Sequence, residues 1–307
     1  MFRYYLKLGL LSIRANPALS SLMVAAIAIG IGACMTIMTI RHVMSDNPIA
    51  HKNDVLYHVQ VDNWNPADAY EDPDKPPEQL TYLDAKALHD AGRASRQVTS
   101  YKTSRVVQPE GDEARPFQLD VRATTADFFP MFDVPFLYGT GWDGNSDSAL
   151  ERVAVLSRDL NQRLFGGEDS VGRMLTLNGE PYRIAGVLDE WNPVPKFYDL
   201  NNNPYEAPAE LFLPFSLAAT NGFDRDGNTS CWKPVEDGGF DRFLGSECIW
   251  IQMWVELRDP SEKDEYLQFL DAYVEEQKAL GRFARPLNNR LNTPAEWMAD
   301  REVVDDS

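Results

Sequence analysis

Residues 19–40, LSSLMVAAIAIGIGACMTIMTI, contain no charged side chain. As a helix rising about 1.5 Å per residue, this run is long enough to cross a hydrocarbon layer of roughly 30 Å. Backbone N–H and C=O groups find no water in lipid, so such a run spans only as a helix that bonds itself. Arg3, Lys7 and Arg14 precede it with no acid among them, which predicts a cytoplasmic N-terminus and places everything after Arg41 across the membrane. The alternative is a cleaved signal peptide, whose apolar core is about 7–15 residues long and ends at a small-residue site. Here the run is longer and Arg41-His42-Val43-Met44 follows it, so it reads as a retained anchor. Ala26/Gly30 and Ala28/Gly32 have the spacing that lets a second helix approach closely, though Ala/Gly-rich spans also contain it by chance.

Upstream, Phe2, Leu6, Leu10 and Ile13 fall near helical spacing with the cations off that stripe, which suits a short helix in the membrane interface. Asn16-Pro17 breaks the pattern. Residues 1–43 hold four basic groups and no acid, leaving 25 basic against 47 acidic groups, or −22, for the remainder. Such a surface repels nucleic acid and anionic headgroups, and its acidity otherwise reads as a solvated exterior.

Beyond the anchor the chain is mixed. A strand is expected over residues 54–61, then a proline-rich loop over 62–77. A helix capped by Thr81 should run to about Ala91, with Leu83 and Ala87 on one face and Gly92 after its end. Strands follow over 97–108 and 117–123, separated by the charged turn at 109–112. Thr124 or Thr125 should open a short helix ended by Pro130. Residues 152–190 read as a strand (153–156), a helix capped by Ser157 and stopped by Gly166-Gly167, and a hairpin (173–177 and 182–188) around the turn 178–181. A short strand over 209–215 and a loop over 216–247 come next. A strand over 249–257 should carry Trp250 and Trp254 on one face, followed by an amphipathic helix capped by Ser261 and closed by Gly281. Its buried stripe should be Tyr266, Phe269, Leu270, Tyr273 and Val274. A last helix is expected over 294–304. This mixture is an α+β domain.

Cys231 and Cys248 both fall in the exported part, where an oxidising compartment permits a disulfide; two separate buried thiols are the alternative. No G-x-x-x-x-G-K-[ST], G-x-S-x-G, H-E-x-x-H or C-x-x-C occurs, so no ATP-binding loop and no familiar catalytic or zinc motif is expected. The four histidines lack metal-ligand spacing. Residues 224–228 are similar to a calcium loop, but Thr229 and Val235 stand where glycine and glutamate are required. No cofactor or metal is expected. Trp64, Trp142, Trp191 and Trp232 are candidates either for partner contact or for local core.

Residues 153–188, VAVLSRDLNQRLFGGEDSVGRMLTLNGEPYRIAGVL, resemble the MacB-like periplasmic core domain of ABC transporter permeases. The matching features are Leu164-Phe165-Gly166 at the helix end, the acidic turn into Val171-Gly172, the Asn178-Gly179 turn, and Ala185-Gly186-Val187 closing the hairpin. Residues 124–139 resemble the upstream segment, although Gly139-Thr140 replaces the usual Gly-Arg. The resemblance implies one transmembrane helix followed by a two-part extracytoplasmic domain, a porter-like α+β part with a small β-rich insert. The expected division is 1–16 interfacial helix, 17–43 transmembrane helix, 44–125 and 248–285 the two halves of the porter-like part, 126–247 the insert, and 286–307 a stalk.

It further implies a permease subunit in a bacterial inner membrane, most of it periplasmic, moved by a separate cytoplasmic ABC ATPase, working as a permease dimer and touching lipid but no nucleic acid. The family continues with three more membrane helices, so a fragment is expected, or else a permease-like protein without the transport half. A membrane-anchored binding or sensor module is the alternative function; an anchored enzyme lacks a catalytic constellation. Leu164, Phe165, Gly166, Val171, Gly172, Asn178, Gly179, Gly186 and Val187 are expected to hold the turns of the insert.

Overall fold

The computed structural model describes residue 4 and residues 16–45, 47–109, 115–235 and 237–303. The expected interfacial helix and most of the turn at 109–112 lie outside these. The chain divides into two units, residues 1–46 and 47–307.

The first unit holds helix α1, Pro17–Ser45, of which Pro17–Met38 is apolar and long enough to cross a membrane. Two of its hydroxyls bond back along the helix: Ser21 Oγ donates to the Ala18 carbonyl at 2.9 Å and Thr36 Oγ1 to that of Gly32 at 2.8 Å. Such bonding leaves those two hydroxyls satisfied without a partner outside the helix.

The second unit runs through β1 (Leu56–Gln60), α2 (Tyr82–Asp90), β2 (Arg96–Gln108), β3 (Phe117–Thr124), α3 (Phe128–Met131), β4 (Phe136–Gly139), α4 (Gly144–Ser148), β5 (Val153–Leu156) and α5 (Arg158–Phe165). It continues with β6 (Met174–Leu177), β7 (Glu180–Leu188), β8 (Leu211–Pro214), α6 (Phe215–Thr220), β9 (Ser230–Cys231), α7 (Gly239–Leu244), β10 (Cys248–Ile249), β11 (Gln252–Glu256), α8 (Lys263–Ala279), β12 (Arg290–Asn292) and α9 (Pro294–Asp300).

Ten strands form one sheet in the order β12-β1-β11-β2-β3-β8-β5-β7-β4, with β6 bonded to both β2 and β7. The pairs β2–β3, β3–β8, β8–β5, β5–β7, β7–β6 and β6–β2 therefore close on themselves as a six-stranded ring. Alternate residues of its strands, among them Leu119, Val121, Ala154, Leu156, Leu175, Ile184 and Leu213, belong to one buried cluster that continues beneath α2 and α8. The intervening Val153, Val155 and Phe212 face a second cluster with α3 and α9. Period-two alternation thus separates the two cores. The sheet passes without a break across residues 125/126, since β3 pairs in parallel with β8 and β2 antiparallel with β6.

Several local expectations are corrected. α2 buries Asp84, Ala85 and Leu88 rather than Leu83 and Ala87, because Asp84 collects bonds from Thr81, Asn63, Tyr273 and Arg282 and turns its face inward. Trp250 and Trp254 do not share a face. The strand is interrupted where the amides of Trp250 and Ile251 both donate to the Leu80 carbonyl; the alternation slips, so Trp250 packs on Tyr101 at 4.6 Å while Trp254 joins the other core. Asp259, not Ser261, caps the turn leading into α8, its carboxylate accepting from the Ser261 amide at 2.9 Å. Along α8 the fully buried stripe is Tyr266, Leu270, Val274 and Gln277, with Phe269 and Tyr273 packed at its margin.

Pro130 lies inside α3 rather than ending it, and the Thr125 hydroxyl donates to the Gln97 carbonyl at 3.2 Å instead of capping. Two short helices, α6 and α7, stand within the expected strand and loop of 209–247. The hairpin turn is the pair Asn178-Gly179 alone, with Glu180 and Pro181 already in β7. The last helix ends at Asp300.

Candidate functional site

Two distant segments, one following α1 and one near the C-terminus, meet side by side. β1 pairs antiparallel with β12, His58 opposite Asn292 and Gln60 opposite Arg290, and Asn292 Nδ2 donates to Gln60 Oε1 at 2.7 Å. Asn53 Oδ1 accepts from Asn47 Nδ2 at 2.9 Å and from the Ala295 amide at 3.1 Å. α9 begins with a reciprocal cap between Thr293 and Glu296 and has Pro294 in its first turn, where a missing N–H costs nothing. That start aims Trp297 at β1. His58, 1% exposed, is stacked on Trp297 at 4.0 Å and edge-on to Trp254 at 5.2 Å. Neither of its ring nitrogens has a hydrogen-bond partner among the described residues. Burial, with Arg301 nearby, pushes its pKa down to about 3, so the ring is neutral and serves as a flat packing surface.

The C-terminal segment is also strapped to the loop at 62–78. Arg285 Nε meets Asp62 at 2.8 Å and its Nη2 donates to the Pro73 carbonyl at 3.2 Å. Arg290 donates to the Asp74 carbonyl, Lys75 pairs with Asp300 at 2.7 Å, and Arg301 pairs with Glu78. The loop in turn brings Tyr70 Oη within 3.4 Å of Ser230 Oγ, beside Cys231. Cys231 and Cys248 lie opposite each other in the β9–β10 pair and are joined as a disulfide.

The residues of the Leu-Phe-Gly block lie around the ring. Gly166 ends α5 in the left-handed region at φ 67°. Below it, Asn161 is buried, accepting from Ser170 Oγ at 2.6 Å and donating to the Glu168 carbonyl at 3.0 Å, which fixes the acidic turn. Leu164 and Phe165 pack against the ring core, with the Arg173 guanidinium 4.3 Å above the Phe165 ring. Val171 is half-exposed; Gly172 donates its amide to the Ile184 carbonyl at 2.8 Å. Asn178 and Gly179 have φ of 49° and 84°, the signs a two-residue hairpin turn requires. Asn178 docks on β2, its side-chain oxygen accepting from the Val106 amide at 2.7 Å. Gly186 faces Gly139 across β4–β7, and a Cβ there would lie 2.5 Å from the Thr140 carbonyl oxygen. Val187 is fully buried.

Of the tryptophans, Trp142 is buried on Phe129 and donates to Asp147 Oδ1 at 3.0 Å; burial lifts the Asp147 pKa to about 6. Trp191 stacks on Tyr198 at 5.3 Å. Trp64 packs edge-on to Tyr70 at 4.8 Å, and Lys233 Nζ lies 4.3 Å from the Trp232 ring centroid. The turn at 224–228 is tied to β2, the Asp226 amide donating to the Lys102 carbonyl at 2.9 Å. Sequence reading missed the buried pair Arg122–Asp199, with Lys196 beside it held down to a pKa of about 8 by burial and by Arg122. It also missed the His58–Trp297 stack. Neither has a local signature, since the partners lie far apart in the chain. Among the described residues no arrangement of three or more metal-ligating side chains occurs. A concave groove of about 690 Å³ lies between Arg158, Trp191 and Glu210.

The MacB-like periplasmic core domain family matches residues 20–272. The macrolide export ATP-binding/permease protein MacB of Rhodospirillum rubrum is 28% identical over 201 residues, 62% of this chain and 29% of that protein. The chain thus spans less than a third of that relative's length. The crystal structure of the periplasmic region of MacB from Actinobacillus actinomycetemcomitans aligns with a TM-score of 0.50 at 12% identity, covering 85% of this chain and 100% of that one; this is a likeness of fold. The extracellular domain of the noncanonic ABC-type transporter YknZ from Gram-positive bacteria gives a TM-score of 0.45 at 13% identity, over 77% and 98% of the two chains. The family match reaches from within α1 into α8, and the chain belongs to the MacB-like periplasmic core domain family.

Proposed function

We propose that the chain is a permease subunit of an ABC-type export or mechanotransmission complex in a bacterial inner membrane. Its N-terminus is cytoplasmic, and the second unit is extracytoplasmic and moved by a separate cytoplasmic ATPase. Family membership supports this reading, and the observation that carries it is the β1–β12 pairing. The segment following the apolar helix and the C-terminal segment are bonded neighbours, so a displacement applied to either loads the same two strands. Within this reading the porter-like part corresponds to β1, α2, β2, β3, β11 and α8, the insert to the ring strands after β3, and the stalk to β12 and α9. A permease dimer and lipid around α1 complete the assembly, while the −22 charge of the exported part disfavours nucleic acid.

Affinity capture of the chain from its native membrane should recover an ABC ATPase; an intact complex without one overturns the proposal. Reporter fusions at Trp250 and Arg3 should fall on opposite sides of the membrane. The groove at Trp191 favours a second reading, an anchored extracytoplasmic binding module, which predicts ligand binding with no ATPase recovered.

A further inference from the structure

We propose that the mouth of the strand ring is a binding site for one oxyanion group, a carboxylate or phosphate carried on a small organic body. A pocket of about 410 Å³ opens there, lined by Arg105, Arg152, Leu177, Glu180, Tyr182 and Phe223 among others. Arg105, on β2, lines it. The guanidinium lies over the Phe223 ring with 3.2 Å from its carbon to the ring centroid. Nη1 donates to the Ser104 carbonyl at 3.1 Å, and Nε is buried without a partner among the described residues. No carboxylate among those residues lies within ion-pair distance of Arg105, although the chain carries 47 acidic groups against 29 Lys and Arg. Asp224 and Asp226 support its charge only from beyond bonding reach.

An arginine held flat on an aromatic ring keeps its fork oriented, and that fork matches the geometry of a carboxylate or phosphate. Arg152, immediately before β5, supplies a second cation and is held at 3.1 Å by Glu180. The Tyr182 phenol lies in the field of both guanidinium groups. The titratable lining therefore carries two cations against one anion in a chain of net charge −18. Leu177 and Phe223 provide an apolar wall for the body that bears the charged group.

Calorimetric titration of the full chain in detergent with benzoate and with inorganic phosphate tests the site. Saturable, mutually competitive millimolar binding is expected, weakened about tenfold or more by Arg105→Gln. Glu180→Gln should tighten binding several-fold by releasing Arg152, a gain that a damaged fold does not produce. Binding of phosphate alone keeps the site and narrows its ligand to phosphate esters. Absence of saturable binding by either anion overturns the proposal, as do titrations that neither variant changes. Association only with phosphatidylglycerol vesicles, with neither small anion bound, also overturns it.

Discussion

The closed ring and the open flank β12-β1-β11 share strand β2 but are held together differently. In the ring, each strand finds partners on both sides, a two-residue turn joins β6 to β7, and the interior is mostly aliphatic. The flank ends on a three-residue strand carrying Arg290, a short charged edge that discourages further pairing. Its packing is aromatic, His58 against Trp254 and Trp297, with Phe132 and Phe197 on Trp254. Its bonds join residues 232 and 242 positions apart. The ring combines local turns such as Asn178-Gly179 with pairings between separated strands, while the flank joins segments from opposite ends of the second unit.

Trp297→Ala should separate the two most sharply. Removing a side chain that is 1% exposed should cost about 3–5 kcal/mol, and amide exchange should accelerate in β1, β12 and α9 before the ring. Equal acceleration in both would break the distinction. Reduction of Cys231–Cys248, which are 17 residues apart, should lower unfolding free energy by about 3 kcal/mol and loosen β9 and β10 first. Gly186→Ala should cost about 1–3 kcal/mol by overpacking against the Thr140 carbonyl and Phe136, with exchange rising in β4 and β7 while the flank stays protected.

Acid should act in opposite directions at His58 in the flank and at Asp147 near Trp142. The His58 pKa is lowered from 6.5 to about 3 in the fold, so its contribution is present above 6.5 and is lost as pH falls toward 3. Between pH 7 and pH 5 the flank should weaken by about 1–2 kcal/mol, and His58→Phe should abolish the change. Asp147, outside the ring, is raised from 3.8 to about 6. Its contribution is present below 3.8 and lost as pH rises through 6, so the same acidification should strengthen its surroundings by about 1 kcal/mol. Denaturant titrations of wild type and Asp147→Asn at both pH values check the sign.

The same contrast explains what could be read in advance. The Ser157 cap, the Gly166 stop and the Asn178-Gly179 turn each depend on residues within a few positions, and the structure places each at its expected element boundary. The face of α2 depends on Tyr273 and Arg282, almost 200 residues away, so periodicity alone selected the wrong side. The slip between Trp250 and Trp254 comes from Leu80, outside the strand's own sequence. α6 and α7 lack side-chain caps and leave no start signal. Asp259 and Ser261 both fit a cap, and the shorter carboxylate turn won.

β2 spans 13 residues; residues 96–100 are paired with β11, residues 100–107 with β3, and residues 107–108 with β6. One continuous backbone is thus a member of both regions. Turning one against the other would shear bonds along that strand, at a cost comparable to unfolding it. A tilt imposed at the flank would pass along that backbone directly into the ring-bonded half of the strand, with no loop between them.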